Sequence, residues 1–360
     1  MSERMQRQFM EMVRIDSESG NEARFMDYLL DEVAAVGGSA TSDDYGNLIA
    51  TFDAVGCEGV EPILLSCHGD TVKPGVGIEP VLADGVIRSR GETILGADDK
   101  AGIAEVLEAL RVAPVRPPIE FAVSRQEEVG LLGVKEMDFS RLTARRGFLM
   151  DNDTLDTIVI GGPTYFAIDV AVGGRSAHAG MEPEKGINAI RAAAMGIAAL
   201  RLGRIDHETT ANVGVISGGI IRNGVPDACS FLAECRSADH DKAVALSEEM
   251  SSSLRREIEA AGATVEIQVD EMCRAVEIPE EAWSVRIAKE ALASVGIDAS
   301  AVFMTGFTDA SIYNNRGIEM AVVGIGAQNE HSTNECIEIA DMEKAVKMLV
   351  EIFRLVVTEA

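Results

Sequence analysis

ILLSCHGD (63–70), ILGADDKAGIAEVLEALRV (94–112), IEFAVSRQEEVG (119–130) and GFLMDND (147–153) decide the fold. The runs 63–67, 120–124 and 147–150 are short, apolar and stop abruptly in polar clusters, as buried strands do where they enter loops. Between the first two, 100–112 carries the apolar spacing of a well-buried helix. Strands alternating with helices imply an α/β unit with a mostly parallel, helix-covered sheet.

Outward from this core, 3–13 and 21–36 have helical spacing, broken by Ser19-Gly20-Asn21 and stopped by Gly37-Gly38. The style changes near Tyr165. FAIDVAV alternates, 187–202 is helix-like, two strand-like runs follow, then a helix over 241–261 and a strand at TVEIQV. That order is β-α-β-β-α-β, the ferredoxin-like pattern. A helix over 281–295 and a strand at 320–324 return to the first style. The expected organisation is therefore an α/β unit from 1–163 and 277–360, with an α+β unit, 164–276, inserted in it.

Composition narrows the function. The chain has 360 residues, 47% of them hydrophobic, enough for substantial cores. Lys and Arg number 32 against 59 Asp and Glu, a formal charge of −27 that repels nucleic acid and anionic membranes. No run approaches the roughly 18 apolar residues of a membrane span, and MSERMQRQFMEMVRIDSESG lacks the apolar core of a secretory leader. Six cysteines without a C-x-x-C pair fit a reducing compartment, so the cytoplasm is expected. Neither G-x-G-x-x-G after a strand nor G-x-x-x-x-G-K-[ST] occurs, which argues against nucleotide chemistry.

The candidate site residues sit at strand ends, where α/β sheets place their chemistry. His68 and Asp70 share one strand face, so the carboxylate can orient the imidazole. Asp98 and Asp99 precede the helix, Glu127 and Glu128 follow a strand, Asp151 follows another, and His331 comes late. Each has an ordinary reading: a surface pair, a helix N-cap, a solvated loop, a turn. Together they offer nitrogen and oxygen ligands for two zinc ions about 3.5–4 Å apart, with cobalt or manganese also acceptable. Neighbouring side chains diverge, so of Glu127 and Glu128 one ligates and the other serves as general base.

The ordered motifs H-x-D, A-D-D-K-x-G, E-E-x-G, Asp after a strand and a final His followed by Glu335 resemble the co-catalytic zinc aminopeptidase and deacylase family. That family includes aminoacylase, glutamate carboxypeptidase, succinyl-diaminopimelate desuccinylase and peptidase T, and the wording of 94–102 is most similar to the peptidase T branch. The resemblance implies that His68, Glu128, Asp151 and His331 bind metal and that Asp98 bridges. It makes Asp70 the orienting acid and Glu127 the base. It also makes the first unit catalytic and 164–276 a lid and dimerisation unit, in which His178 of GRSAHAG (174–180) would polarise the substrate carbonyl while Asn223 and Arg236 hold the substrate backbone and carboxylate. TGFTDA (305–310) places Phe307 where the family has a small residue. The implied activity is removal of the N-terminal residue of short peptides, tripeptides foremost, with N-acyl-amino-acid deacylation as the alternative, in a homodimer formed through the lid. His207 and His240 match nothing catalytic.

Overall fold

The computed structural model describes residues 2–360. The chain divides into two compact units, one from the residues up to Gly161 with Glu277–Ala360, the other Gly162–Val276.

In the first unit the apolar runs become neighbouring strands. β1 (Ser39–Ser42), β2 (Leu48–Phe52), β3 (Ile63–His68), β6 (Ile119–Ser124), β7 (Arg146–Asn152), β8 (Thr157–Gly162), β16 (Val276–Glu277) and β18 (Glu319–Gly324) lie in the order β1-β2-β6-β3-β7-β18-β8-β16. β17 (Ser300–Phe303) also pairs with β8. The central strands β6, β3, β7 and β18 are mutually parallel, whereas β1, β2 and β8 pair antiparallel with their inner neighbours. Every residue of β3 and β6 is buried, which is why both read as unbroken apolar runs rather than alternating ones.

α3 (Ala97–Val112) is buried from Ala97 to Leu110. It packs against β3 and β7 and against α1 (Ser2–Met12) and α9 (Ile339–Glu359). Two of its buried charged residues find partners: Arg4 donates to both oxygens of Glu108 at 2.8 and 2.9 Å, and Lys100 Nζ donates to the carbonyls of Ile15 and Met12 at 2.8 and 3.2 Å. α2 (Ala23–Ala35) packs on β1 and β2, α7 (Trp283–Ser294) on β7 and β18, and α8 (Ala310–Asn315) on β18. The one-turn α4 (Leu132–Lys135) follows the Glu127-Glu128 loop.

A small antiparallel sheet was not expected. β4 (Pro80–Ala83), β5 (Val86–Ser89), β19 (Ala327–Gln328) and β20 (Cys336–Glu338) lie in the order β19-β20-β5-β4. Asp84 and Gly85 turn the first hairpin at φ 51° and 79°, the left-handed pair that a tight Asp-Gly hairpin needs. The sheet matters because the loop from β19 to β20 carries His331.

The second unit has the β-α-β-β-α-β order: β9 (Thr164–Gly173), α5 (Ala189–Ala198), β12 (Thr209–Gly218), β14 (Ala228–Ser237), α6 (His240–Ala260) and β15 (Thr264–Cys273). Its antiparallel sheet runs β11-β12-β14-β9-β15, where β11 (Gly203–Arg204) touches only the start of β12. Phe166, Ile168, Val170 and Val172, the apolar half of the alternating run, join α5 and α6 in a separate core. α5 starts later than the expected 187–202 because the Asn188 side chain accepts the Arg191 N–H at 2.9 Å and caps the helix there, and it ends at Ala198. A two-strand ribbon, β10 (Ala177–His178) and β13 (Gly224–Val225), sets His178 opposite Gly224.

Candidate active site

β3 and β6 run in register to His68 and Ser124, so the loops leaving them begin side by side. His68 Nδ1 lies 3.1 Å from the Asp70 carbonyl and 3.4 Å from Asp70 Oδ1. That nitrogen faces acceptors and carries a proton, so Nε2 is the nitrogen left to meet the neighbouring carboxylates or an ion. It faces Asp98 Oδ1 at 3.0 Å and Asp151 Oδ1, from the end of β7, at 3.6 Å. His331 Nε2 lies 3.1 Å from the other Asp98 oxygen and 3.0 Å from Glu128 Oε1. One carboxylate thus stands between two imidazoles, an oxygen toward each.

Asp98 is held from below. Glu335 is 2% exposed, and its carboxylate accepts four successive backbone N–H groups: Leu95 at 2.8 Å, Gly96 at 2.7 Å, Ala97 at 2.7 Å and Asp98 at 3.1 Å. The N-cap reading of the adjacent acids is therefore incorrect. The cap position is Gly96, in the left-handed region at φ 72°, and the start of α3 is satisfied by a carboxylate distant in sequence. Asp98 and Asp99 have non-helical backbone angles and are joined by a cis peptide.

Asp70 is fully buried and accepts the Glu127 N–H at 2.9 Å and the Glu128 N–H at 3.2 Å. It therefore fixes the loop that carries both glutamates as well as His68. Glu128 turns to His331, whereas Glu127, 7% exposed, is a partner of neither histidine.

Burial and crowding shift these groups strongly. Burial opposes the charge on His68, but Asp151, Asp70 and Asp98 outweigh it and hold the ring well above the usual histidine range. Hydrogen bonds donated to the Asp98 and Glu128 carboxylates push His331 up to about 11. Burial would raise Asp98, yet His331 and His68 keep it below the carboxylate range. Burial, then the charge of Asp151, pushes Glu127 well up, and burial raises Glu128 and Asp151. Carboxyl groups outnumber imidazoles, so the pocket is short of positive charge.

Two further acids belong here: Asp99, read in the sequence only as the neighbour of Asp98, and Asp309, which no motif singles out. Asp99 Oδ2 accepts the His68 N–H at 3.1 Å, its Oδ1 has no partner, and with His68 and Asp151 it forms a second group whose ligand atoms lie within 4.8 Å of one another, beside His68-Asp98-Glu128. Its adjacency to Asp98 was the available signal. Asp309 is buried, accepts from the Ser124 hydroxyl, and is raised to about 7, first by burial.

In the second unit, the ribbon brings His178 and Asn223 together, with the Ala179 N–H donated to the Asn223 carbonyl at 3.0 Å. His178 Nδ1 accepts the N–H groups of Gly180 and Met181 at 3.2 and 3.1 Å, which leaves the proton on Nε2. Arg236 is on β14, paired with Glu234 at 2.9 Å and over the Tyr165 ring at 4.5 Å. His207 is exposed, and His240 contacts the Thr164 hydroxyl at 3.1 Å.

A model of peptidase family M20/M25/M40 matches residues 64–355. The chain belongs to this family. As an M20 peptidase it is a metallopeptidase-type hydrolase that acts on peptides. It is 36% identical to the aminopeptidase PepT from Bacillus cereus, with 99% of each chain covered and a TM-score of 0.87. A tripeptidase from Staphylococcus aureus is 33% identical over 99% of each chain, with a TM-score of 0.92. Peptidase T of Lysinibacillus sphaericus is 25% identical over 91% of this chain and 89% of its own. Among the described residues of this M20 peptidase, no helix is long and apolar enough to cross a membrane.

Proposed function

We propose that this M20 peptidase removes the N-terminal residue of short peptides, tripeptides foremost, with water activated between two zinc ions. The observation that carries the reading is Asp98, whose two oxygens face His68 at 3.0 Å and His331 at 3.1 Å. The donor set is nitrogen and oxygen without thiol. Its separations of 3.0–3.6 Å approximate the edges of tetrahedra with bonds of about 2.0–2.2 Å, roughly 3.3–3.6 Å. Two dications would also balance the excess carboxylates. His68 and Asp151 would hold one ion, Glu128 and His331 the other, with Asp98 shared; cobalt or manganese would suit the same donors.

Ions bound there would supply Lewis acidity and an acidified water. Glu127, unclaimed by either histidine, takes the proton of the attacking water and returns it to the leaving nitrogen. Asp70 fixes the His68 tautomer. His178 offers its Nε2–H to the carbonyl oxygen as charge develops, since Nδ1 is already occupied. Asn223 and Arg236 hold the peptide backbone and carboxylate. The name of the Bacillus cereus relative supports an aminopeptidase and that of the Staphylococcus aureus relative a tripeptidase. A homodimer through the second unit is supported by exposed Val215 and Ile216 on β12 and Ile190 and Met195 on α5. Six free cysteines support a cytoplasmic setting.

Mass-spectrometric screening of zinc-loaded protein tests the substrate. Leu- or Met-led tripeptides should lose their first residue, and acetylating the amino end should stop cleavage. Faster turnover of N-acetyl amino acids would replace the aminopeptidase with the deacylase.

A further inference from the structure

Glu127 and Glu128 sit on a loop whose position must be fixed from outside, because two adjacent acids in a carboxylate-rich pocket repel each other and their surroundings. The turn between α1 and α2 touches that loop twice. Ser19 Oγ donates to Asp70 Oδ2 at 2.7 Å, and Asp70 in turn accepts the N–H groups of Glu127 and Glu128. Three residues on, Glu22 is fully buried. One of its oxygens receives Arg125 Nε at 3.1 Å and Nη2 at 2.8 Å, and the other receives the Gly20 N–H at 2.7 Å. Arg125 lies two residues before Glu127.

The turn is itself anchored. The Ser19 N–H donates to the Thr71 carbonyl at 3.2 Å, the Thr71 N–H to the Ser17 carbonyl at 3.0 Å, and Lys100 grips the Ile15 carbonyl at 2.8 Å. Ile15–Glu22 is thus tied to the strand end bearing His68, to the helix after Asp98 and to the glutamate loop.

We propose that Ser19 and Glu22 are positioning residues for the peptidase reaction, a clamp that acts on Glu127 through Asp70 and Arg125. A serine hydroxyl supplies Asp70 with a third donor. Without it, Oδ2 keeps only the longer bond from the Glu128 N–H at 3.2 Å, and the carboxylate whose other oxygen holds the Glu127 N–H is less firmly seated. Glu22 works on the other side, locking the guanidinium that starts the loop. Neither touches substrate.

The inference rests on Glu127 as base, so the test is a double-mutant cycle on tripeptide hydrolysis at saturating zinc. Ser19→Ala should lower kcat about 10-fold, the scale of one lost hydrogen bond to a charged group, with KM within about twofold. Ser19→Thr should restore most of the rate. In a Glu127→Gln background, Ser19→Ala should cost nothing further, because the residue it positions has lost its function. Glu22→Gln should follow the same pattern, independently of whether Ser19→Ala folds well. An unchanged kcat in folded Ser19→Ala and Glu22→Gln, or an equal loss with and without Glu127, overturns the clamp alone. Full activity of Glu127→Gln would instead remove the base on which the clamp acts.

Discussion

The two histidine-bearing regions of this molecule are built on opposite plans. Around His68 nearly every polar atom has an internal partner, the acids are buried, and their proton affinities are far from ordinary. Around His178 the ring is exposed and held only through Nδ1 by two backbone N–H groups. Rigid burial suits groups that must hold concentrated charge at fixed separations. An exposed ring with one nitrogen tied and one free suits a partner that arrives from solution. The difference predicts that changes in the first region alter metal binding or proton transfer, whereas changes in the second alter turnover and leave the centre intact.

The sharpest test is Glu127→Gln, motivated by a buried glutamate that neither histidine engages. It should lower kcat by about 10²–10⁴-fold with both metals retained; metal loss on this substitution would mean that Glu127 is a ligand. His178→Ala should lower kcat by about 10²–10³-fold, the scale of one lost oxyanion donor. Its metal content should be unchanged and its stability within about 0.5 kcal/mol. A loss of metal there would erase the contrast between the regions.

Smaller effects sharpen it. Glu335→Gln keeps the shape of the side chain but turns an N–H donor toward groups that are themselves donors. Metal affinity, followed by titration with a competing chelator, should fall about 10–100-fold, as for other residues that support ligands from behind. Unaltered affinity would reduce Glu335 to a helix cap. The smallest effect on the fold is expected at the sheet edge of the second unit. β15 carries exposed Glu266, Gln268 and Asp270, the charged kind of edge that resists pairing, whereas β12 presents Val215 and Ile216. Val215→Lys with Ile216→Lys should leave the thermal midpoint nearly unchanged and convert a dimer into a monomer by sedimentation. A dimer that survives places the interface elsewhere.

Much of this was legible in the sequence because burial on both faces leaves a strong mark. β3, β6 and α3 read directly as apolar runs, and the polar residues that interrupt them at their ends converge in space. The alternating strand β9 was equally plain. What did not show is contact between remote segments. Glu335 reaches residues 95–98 across more than two hundred positions, and no local pattern announces it. The adjacent acids at 98–99 looked like a cap because cap chemistry is local, and the true acceptor was not. β19 and β20 have two and three residues, too short for any periodicity, although Asp84-Gly85 marked the hairpin they join. Asp309 stayed hidden because its partner, Ser124 at the end of β6, is remote in the chain from the start of α8.

The loop between β19 and β20 has a consequence for how the enzyme is made. His68, Asp98, Glu128 and Asp151 all precede the second unit in the chain, whereas His331 and Glu335 follow it. During synthesis, four of the five donors emerge long before the fifth, and before the carboxylate that seats Asp98. A growing chain therefore presents only an incomplete, strongly acidic cup. In the proposed two-ion reading the centre would close only when the last quarter of the polypeptide docks β20 against β5, so that capture of a second ion would be coupled to completion of the protein.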